Sequence, residues 1–132
     1  MSLSTETFTP LPEMIGARAT EAPEKIALIQ DARKLTYRDL DKAMDRVAEA
    51  LQREGVKPRE SVAICAGTSI EYACAFLGAL RAGVAVAPIA PSSTAESIVE
   101  MVADCGAKVF FLDGNVGNEL GERLGTVKAK LV

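Results

Sequence analysis

Residues 61–112 read SVAICAGTSIEYACAFLGALRAGVAVAPIAPSSTAESIVEMVADCGAKVFFL, and this stretch decides the fold. Three short apolar runs stand in it: Ser61-Val62-Ala63-Ile64-Cys65, Val84-Ala85-Val86-Ala87-Pro88 and Lys108-Val109-Phe110-Phe111-Leu112. They are near-continuously apolar rather than alternating, the pattern of strands covered on both faces. Between them lie two segments with helical spacing. Thr68-Ser69-Ile70-Glu71 reads as a capping box that opens at Thr68. Tyr72, Ala73, Phe76, Leu77 and Leu80 form its apolar face, and Gly83 is its stop. Ser93-Thr94-Ala95-Glu96 reads as a second box, followed by Ile98, Met101 and Val102 and closed by Gly106. Strand and helix alternate. The expected fold class is therefore α/β: a parallel βαβαβ sheet with right-handed crossovers and helices on both faces.

Upstream, Thr36 reads as an N-cap with Asp39 three residues on, and Leu35 and Leu40 hold the two staple positions around it. Leu40, Met44, Val47, Ala48 and Leu51 then recur at helical spacing, and Gly55 and Pro58 stop the run. Asp39, Asp41, Asp45 and Glu49 fall on the other side of that helix, where a solvated face is expected. Leu11 to Thr20 is a weaker helix. Lys25 to Gln30 and Lys34 to Tyr37 read as two short strands around an Asp31-Ala32-Arg33 turn. After Asp113, glycines at 114, 117, 121 and 125 predict a loop, and the alternation over Thr126 to Val132 admits a final strand. The expected organisation is an unstructured or vector-derived start over residues 1–9, an N-terminal α/β subdomain over 10–113, and a loosely specified tail over 114–132.

The chain has 132 residues, 48% hydrophobic and 25% charged, the proportions of one globular domain. Fifteen basic residues stand against 18 acidic ones, so no basic excess points to nucleic acid. There is no histidine, which removes Ser-His-Asp triads, Cys-His dyads and His-ligated metals. Cys65, Cys74 and Cys105 lack Cys-x-x-Cys spacing and read as buried thiols of a reducing compartment. The apolar stretch from Tyr72 to Ala90 is split by Arg81 and punctuated by Gly78, Gly83 and Pro88, so it does not read as a membrane span. The start has neither a basic n-region nor a long apolar h-region and does not read as a signal peptide. A soluble cytoplasmic protein is the expectation.

Ligands of open parallel sheets gather at the carboxyl ends of strands. Here those ends are Ala66-Gly67-Thr68-Ser69, Ile89 to Thr94, and Asp113-Gly114-Asn115. Two of them run into hydroxyl-rich helix starts, which suit either anion binding or simple capping by Thr68 and Ser93; capping is the favoured reading. Gly78 to Ala85 has the glycine spacing of a phosphate loop but lacks its Lys-Ser/Thr, and it falls at a helix end. Glu71 and Glu96 are accounted for by their boxes, and Asp104 and Asp113 are candidates to cap turns. The residues alone point to no catalytic constellation.

Leu35-Thr36-Tyr37-Arg38-Asp39-Leu40 resembles the first core motif of the adenylate-forming superfamily, Leu-Thr-Tyr-x-Glu-Leu. Leu80-Arg81-Ala82-Gly83-Val84-Ala85-Val86-Ala87-Pro88-Ile89 resembles its second, Leu-Lys-Ala-Gly-x-x-x-x-Pro-Leu/Ile. The resemblance covers about residues 10 to 113. It implies a parent enzyme that activates a carboxylate with ATP and magnesium to an acyl-adenylate and then transfers the acyl group to a thiol. Val86-Ala87-Pro88-Ile89-Ala90-Pro91 departs from the Tyr-Val-Pro-Leu-Asp-Pro of peptide synthetases and is more similar to acid–CoA ligases. Ala90 differs from the Asn or Asp of both groups. On that resemblance the acid would be a fatty or aryl acid and the thiol CoA.

The family's phosphate loop, acyl pocket, ribose-binding aspartate and mobile lysine have no matching position among these 132 residues. Ser92, in the Pro91-Ser92-Ser93 loop that borders the thiol cofactor's nucleotide in some CoA ligases, is the one candidate carried over, as cofactor-binding. The implied partners are the small carboxylic acid and the remainder of the same polypeptide. The expected character is an N-terminal fragment that binds none of these cofactors tightly, adenylates nothing alone, and leaves an edge or face prone to self-association. The alternative is a stand-alone, non-catalytic α/β binding or scaffold module.

Overall fold

The protein is described by a computed structural model that covers residues 10–132; the expectation for residues 1–9 lies outside the described residues. α1 (Leu11–Glu21) leads into an antiparallel hairpin of β1 (Ile26–Gln30) and β2 (Arg33–Thr36). α2 (Tyr37–Arg53) follows at once, because the Thr36 hydroxyl accepts the Asp39 amide at 3.2 Å and caps it. Then come β3 (Ser61–Cys65), α3 (Ile70–Arg81), β4 (Ala85–Pro88), α4 (Ala95–Asp104) and β5 (Val109–Leu112). These build the expected alternation. The four-stranded sheet has the order β4-β3-β5-β6 with every pair parallel, β6 being Lys130–Leu131. Pro88 lies on the edge strand β4, where its missing N–H breaks no ladder.

The period-two alternation of each strand sorts its side chains to two covers. Val62 and Val109 pack with Leu51 of α2 and Ala79 of α3. Ala63, Cys65 and Phe110 pack on the opposite face with Ile98 and Val102 of α4 and with Val116 and Leu120. A third cluster lies outside α2 and α3, where Ile15, Leu40 and Met44 meet Leu28, Leu35 and Leu77. The hairpin and α1 therefore lie on the back of the α2–α3 layer, away from the sheet.

Three expectations need correction. Both capping boxes sit one residue later than predicted. Ser69 caps α3 by accepting from Tyr72, and Thr94 caps α4 by accepting from Ser97. Adjacent hydroxyls make the register ambiguous in sequence; burial of Ile70 and Ile98 selects it. Glu71 is thereby freed from the box and pairs with both Nη atoms of Arg33. Second, residues 114–120 are helical, not a loop: α5 (Gly114–Leu120) forms because Asp113 caps it through the Val116 amide at 2.9 Å and because Val116 and Leu120 are buried. A 3-10 turn, Gly121–Thr126, links it to β6.

Third, Asp41 and Asp45 are not merely solvated. Arg81, at the end of α3 and only 19% exposed, bonds Asp41 Oδ1 at 2.8 Å and Asp45 Oδ1 at 3.0 Å. It also donates to the Asp41 carbonyl and to the Pro12 carbonyl, each at 3.0 Å. The arginine that interrupts the apolar run thus ties three helices together. Gly83, with φ +79°, ends α3 as expected. Gly78 lies inside α3, where α2 crosses it: a Cβ there would be 2.5 Å from Val47 Cβ.

Candidate functional site at the carboxyl edge of the sheet

The strand order reverses between β3 and β5, and the crevice outside their carboxyl ends is where an open α/β sheet ordinarily takes a ligand. In this chain one side-chain bond bridges the two strand ends. Asp113, following β5, accepts the Gly67 amide on Oδ2 and the Val116 amide on Oδ1, both at 2.9 Å. These two backbone donors hold its carboxyl below the usual aspartate range.

The neighbouring donors are also engaged. The Ile70 amide donates to Gln30 Oε1 at 3.1 Å, and the Tyr72 amide donates to Ser69 Oγ at 3.0 Å. The anion reading of this helix start therefore gives way to capping, as favoured from sequence. Arg33 approaches the same turn but is spent on Glu71, whose carboxyl it holds down.

Cys65 lies just below. Burial first, then the Asp113 and Glu119 charges, push its thiol up to about 11, so it stays protonated at neutral pH and is no nucleophile. Burial also raises Cys74. At this carboxyl edge a cleft of about 180 Å³ opens between Ile64, Ala66, Ser69, Tyr72, Asp113 and Val132. On the α2 side of Phe111 lies a second cleft of about 210 Å³, walled by Val47, Ala50, Leu51 and Val109. Its walls are almost wholly apolar.

The predicted candidate, Ser92, lies at the same carboxyl edge, on the β4 side of β3. It is exposed in the turn after edge strand β4, between Pro91 and the Ser93 amide that bonds Ala90. The structure brings no other expected site residue beside it. What sequence reasoning missed is the Asp113–Gly67 stitch. Its only signal was an aspartate directly after a predicted strand.

A model of the family described as AMP-binding enzyme matches residues 15–131. The chain belongs to the AMP-binding enzyme family. Among curated relatives of this family member, polyketide synthase PksN of Bacillus subtilis is 34% identical over 89% of the chain. One of the proteins that make up linear gramicidin synthase in Brevibacillus parabrevis is 36% identical over 76% of it. The chain spans only 2% and 1% of the lengths of these two relatives. Among solved structures, the nonribosomal peptide synthetase FmoA3 superposes with a TM-score of 0.83 at 25% identity, covering 94% of this chain and 14% of its own. A benzoate CoA ligase from Burkholderia xenovorans does so with 0.85 at 25% identity, covering 94% and 25%. The α/β fold thus matches the N-terminal part of adenylate-forming enzymes. The narrower expectation of an acid–CoA ligase is not singled out, because the curated relatives just described are large synthases.

The family implies a nucleotide and a metal, but the described residues do not fit either at the carboxyl edge. Three of the amides there, of Gly67, Ile70 and Tyr72, already serve Asp113, Gln30 and Ser69, and the charges lining the cleft are the carboxylates of Glu71 and Asp113. No group of three or more His, Cys, Asp or Glu able to hold a metal occurs among the described residues. No helix among them is long and apolar enough to cross a membrane.

Proposed function

We propose that these residues are the N-terminal scaffold of a larger adenylating ligase, and that the missing chemistry lies in further polypeptide. In the reaction proposed for the whole enzyme, a carboxylate oxygen attacks the α-phosphorus of ATP and pyrophosphate leaves. A thiol sulfur then attacks the acyl carbon and AMP leaves. A carboxylate is a poor electrophile, and AMP gives it a good leaving group. ATP and magnesium would be bound outside the described residues, for the reasons of donor use given above. The observation that carries this reading is the family match over residues 15–131, which spans both signature stretches.

The synthase relatives favour a carrier-tethered thiol as acyl acceptor and an amino or related acid as substrate. The second reading is a CoA ligase for an aryl or fatty acid, favoured by the likeness to the benzoate CoA ligase and by the Ile89-Ala90-Pro91 ending. In that reading Ser92 borders the CoA nucleotide.

ATP–pyrophosphate exchange tests the proposal on the polypeptide carrying these residues and their natural continuation, across amino, aryl and fatty acids. Exchange with one class is expected. Its absence with all of them would leave the scaffold-module reading instead. The 132-residue chain alone should stay at background. Thioester formation with CoA against a phosphopantetheinyl carrier separates the two acceptors, and under the CoA reading Ser92→Ala raises the KM for CoA only.

A further inference from the structure

α1 has few means of its own to stay helical. It is 11 residues long, below the ~12–15 at which isolated helices become even marginal. Its N-cap is Pro10, which makes no side-chain cap bond. Gly16 sits in its middle, the poorest helix former after proline. Thr20 donates back to the Gly16 carbonyl at 3.2 Å, a bond that tends to bend a helix. Ile15 is its one buried residue, while Leu11 and Met14 are 49% and 51% exposed.

What holds it is a docking site already built by other elements. Arg81 is anchored to α2 through Asp41 Oδ1, the Asp41 carbonyl and Asp45 Oδ1. One further donor of the same guanidinium reaches the Pro12 carbonyl at 3.0 Å. Gly16 lays bare backbone against this ion cluster: a Cβ there would lie 3.7 Å from Arg81 Nη2 and 3.8 Å from Asp41 Oδ1. Three of the four partners belong to α2, so the cluster survives without α1. The converse does not hold.

We infer that α1 is a strap, helical only while docked on Arg81, which releases as a unit while α2, α3 and the sheet stay folded. Release withdraws Ile15 from Leu40 and Met44 and bares the guanidinium. The device is thus a gate over one face of the α2–α3 pair, and local unfolding is its motion.

Hydrogen exchange read by mass spectrometry on the full 132-residue chain tests this. Peptides from 11–21 should exchange at least ~100-fold faster than those from 40–51 and 109–112. Ile15→Ala should quicken exchange in 11–21 and quicken 40–51 by no more than the same factor, because every opening of α2 also releases α1. Gly16→Ala fits the space at ordinary contact distance and should slow exchange in 11–21 by ~5-fold, the Gly-to-Ala propensity expressed as a rate. Arg81→Met should release the strap, leaving 109–112 protected. Equal protection of 11–21 and 40–51, a larger response in 40–51 than in 11–21, or no response of 11–21 to Gly16→Ala would overturn the inference. None of these readouts depends on adenylation, so it stands or falls apart from the proposed function.

Discussion

Gly78→Ala puts the packing of the second layer to a sharp test. Glycine inside a helix is normally a defect, and alanine there gains ~1 kcal/mol of helix propensity. At Gly78 the sign reverses. The new Cβ would lie 2.5 Å from Val47 Cβ, 2.7 Å from Val47 Cγ1 and 3.0 Å from the Met44 carbonyl oxygen. Carbon atoms rest ~3.5–4.0 Å apart, so α2 and α3 must separate by about an ångström. That separation loosens Leu51 and Ala79 against Val62 and Val109, and overpacking of this kind costs ~1–3 kcal/mol or somewhat more where backbone must move. The net expectation is a loss of ~1–2 kcal/mol, a fall in Tm of roughly 3–8 °C for a domain of this size. Urea melts followed by circular dichroism would show it as a lower midpoint at unchanged slope. Val47→Ala should rescue little, because it keeps the atom at 2.5 Å, whereas Val47→Gly should rescue more, with a coupling of ~1 kcal/mol in the double-mutant cycle. Gly78→Ala as stable as the parent chain, or Val47→Ala rescuing fully, would refute the crossing as described.

Other outcomes follow from single residues. Phe110→Ala empties the centre of the α4-side core, where Phe110 is 0% exposed, and should cost ~3–5 kcal/mol by urea melt. Asp113 has a lowered folded pKa, so its stabilisation is full above the unfolded value near ~3.9 and is lost as pH falls through the folded value; Asp113→Asn should flatten that acid limb of the stability–pH curve. Cys65, with its thiol at about 11, should resist thiol reagents at pH ~8 in the native chain and react once urea unfolds it. Gly83→Ala forces a side chain into φ +79° and within 3.6 Å of Pro58 Cβ, at ~1–2 kcal/mol.

The strands and long helices were legible because burial on both faces writes itself as continuous apolar runs, and a helix stripe repeats every three to four residues. Leu40, Met44, Ala48 and Leu51 are all buried, as their spacing requires. Capping was legible in kind and not in register, since Thr68-Ser69 and Ser93-Thr94 each offer two hydroxyls and only the fit of Ile70 and Ile98 into the core chooses between them. Long-range polar bonds were not legible at all. Arg81 meets Asp41 across 40 residues and Pro12 across 69, and Gly67 meets Asp113 across 46, separations at which no periodicity operates. These bonds also decide what the signatures do here. Thr36 of the first motif caps α2, and Arg81 of the second binds that helix's Asp41 and Asp45. Within these residues both motifs therefore act on one object, the α2–α3 pair, and their roles are architectural. The Asp113 carboxylate joins two scales in the same way: one oxygen caps α5 through Val116, and the other ties the end of β5 to Gly67 after β3, a link that no local pattern announces.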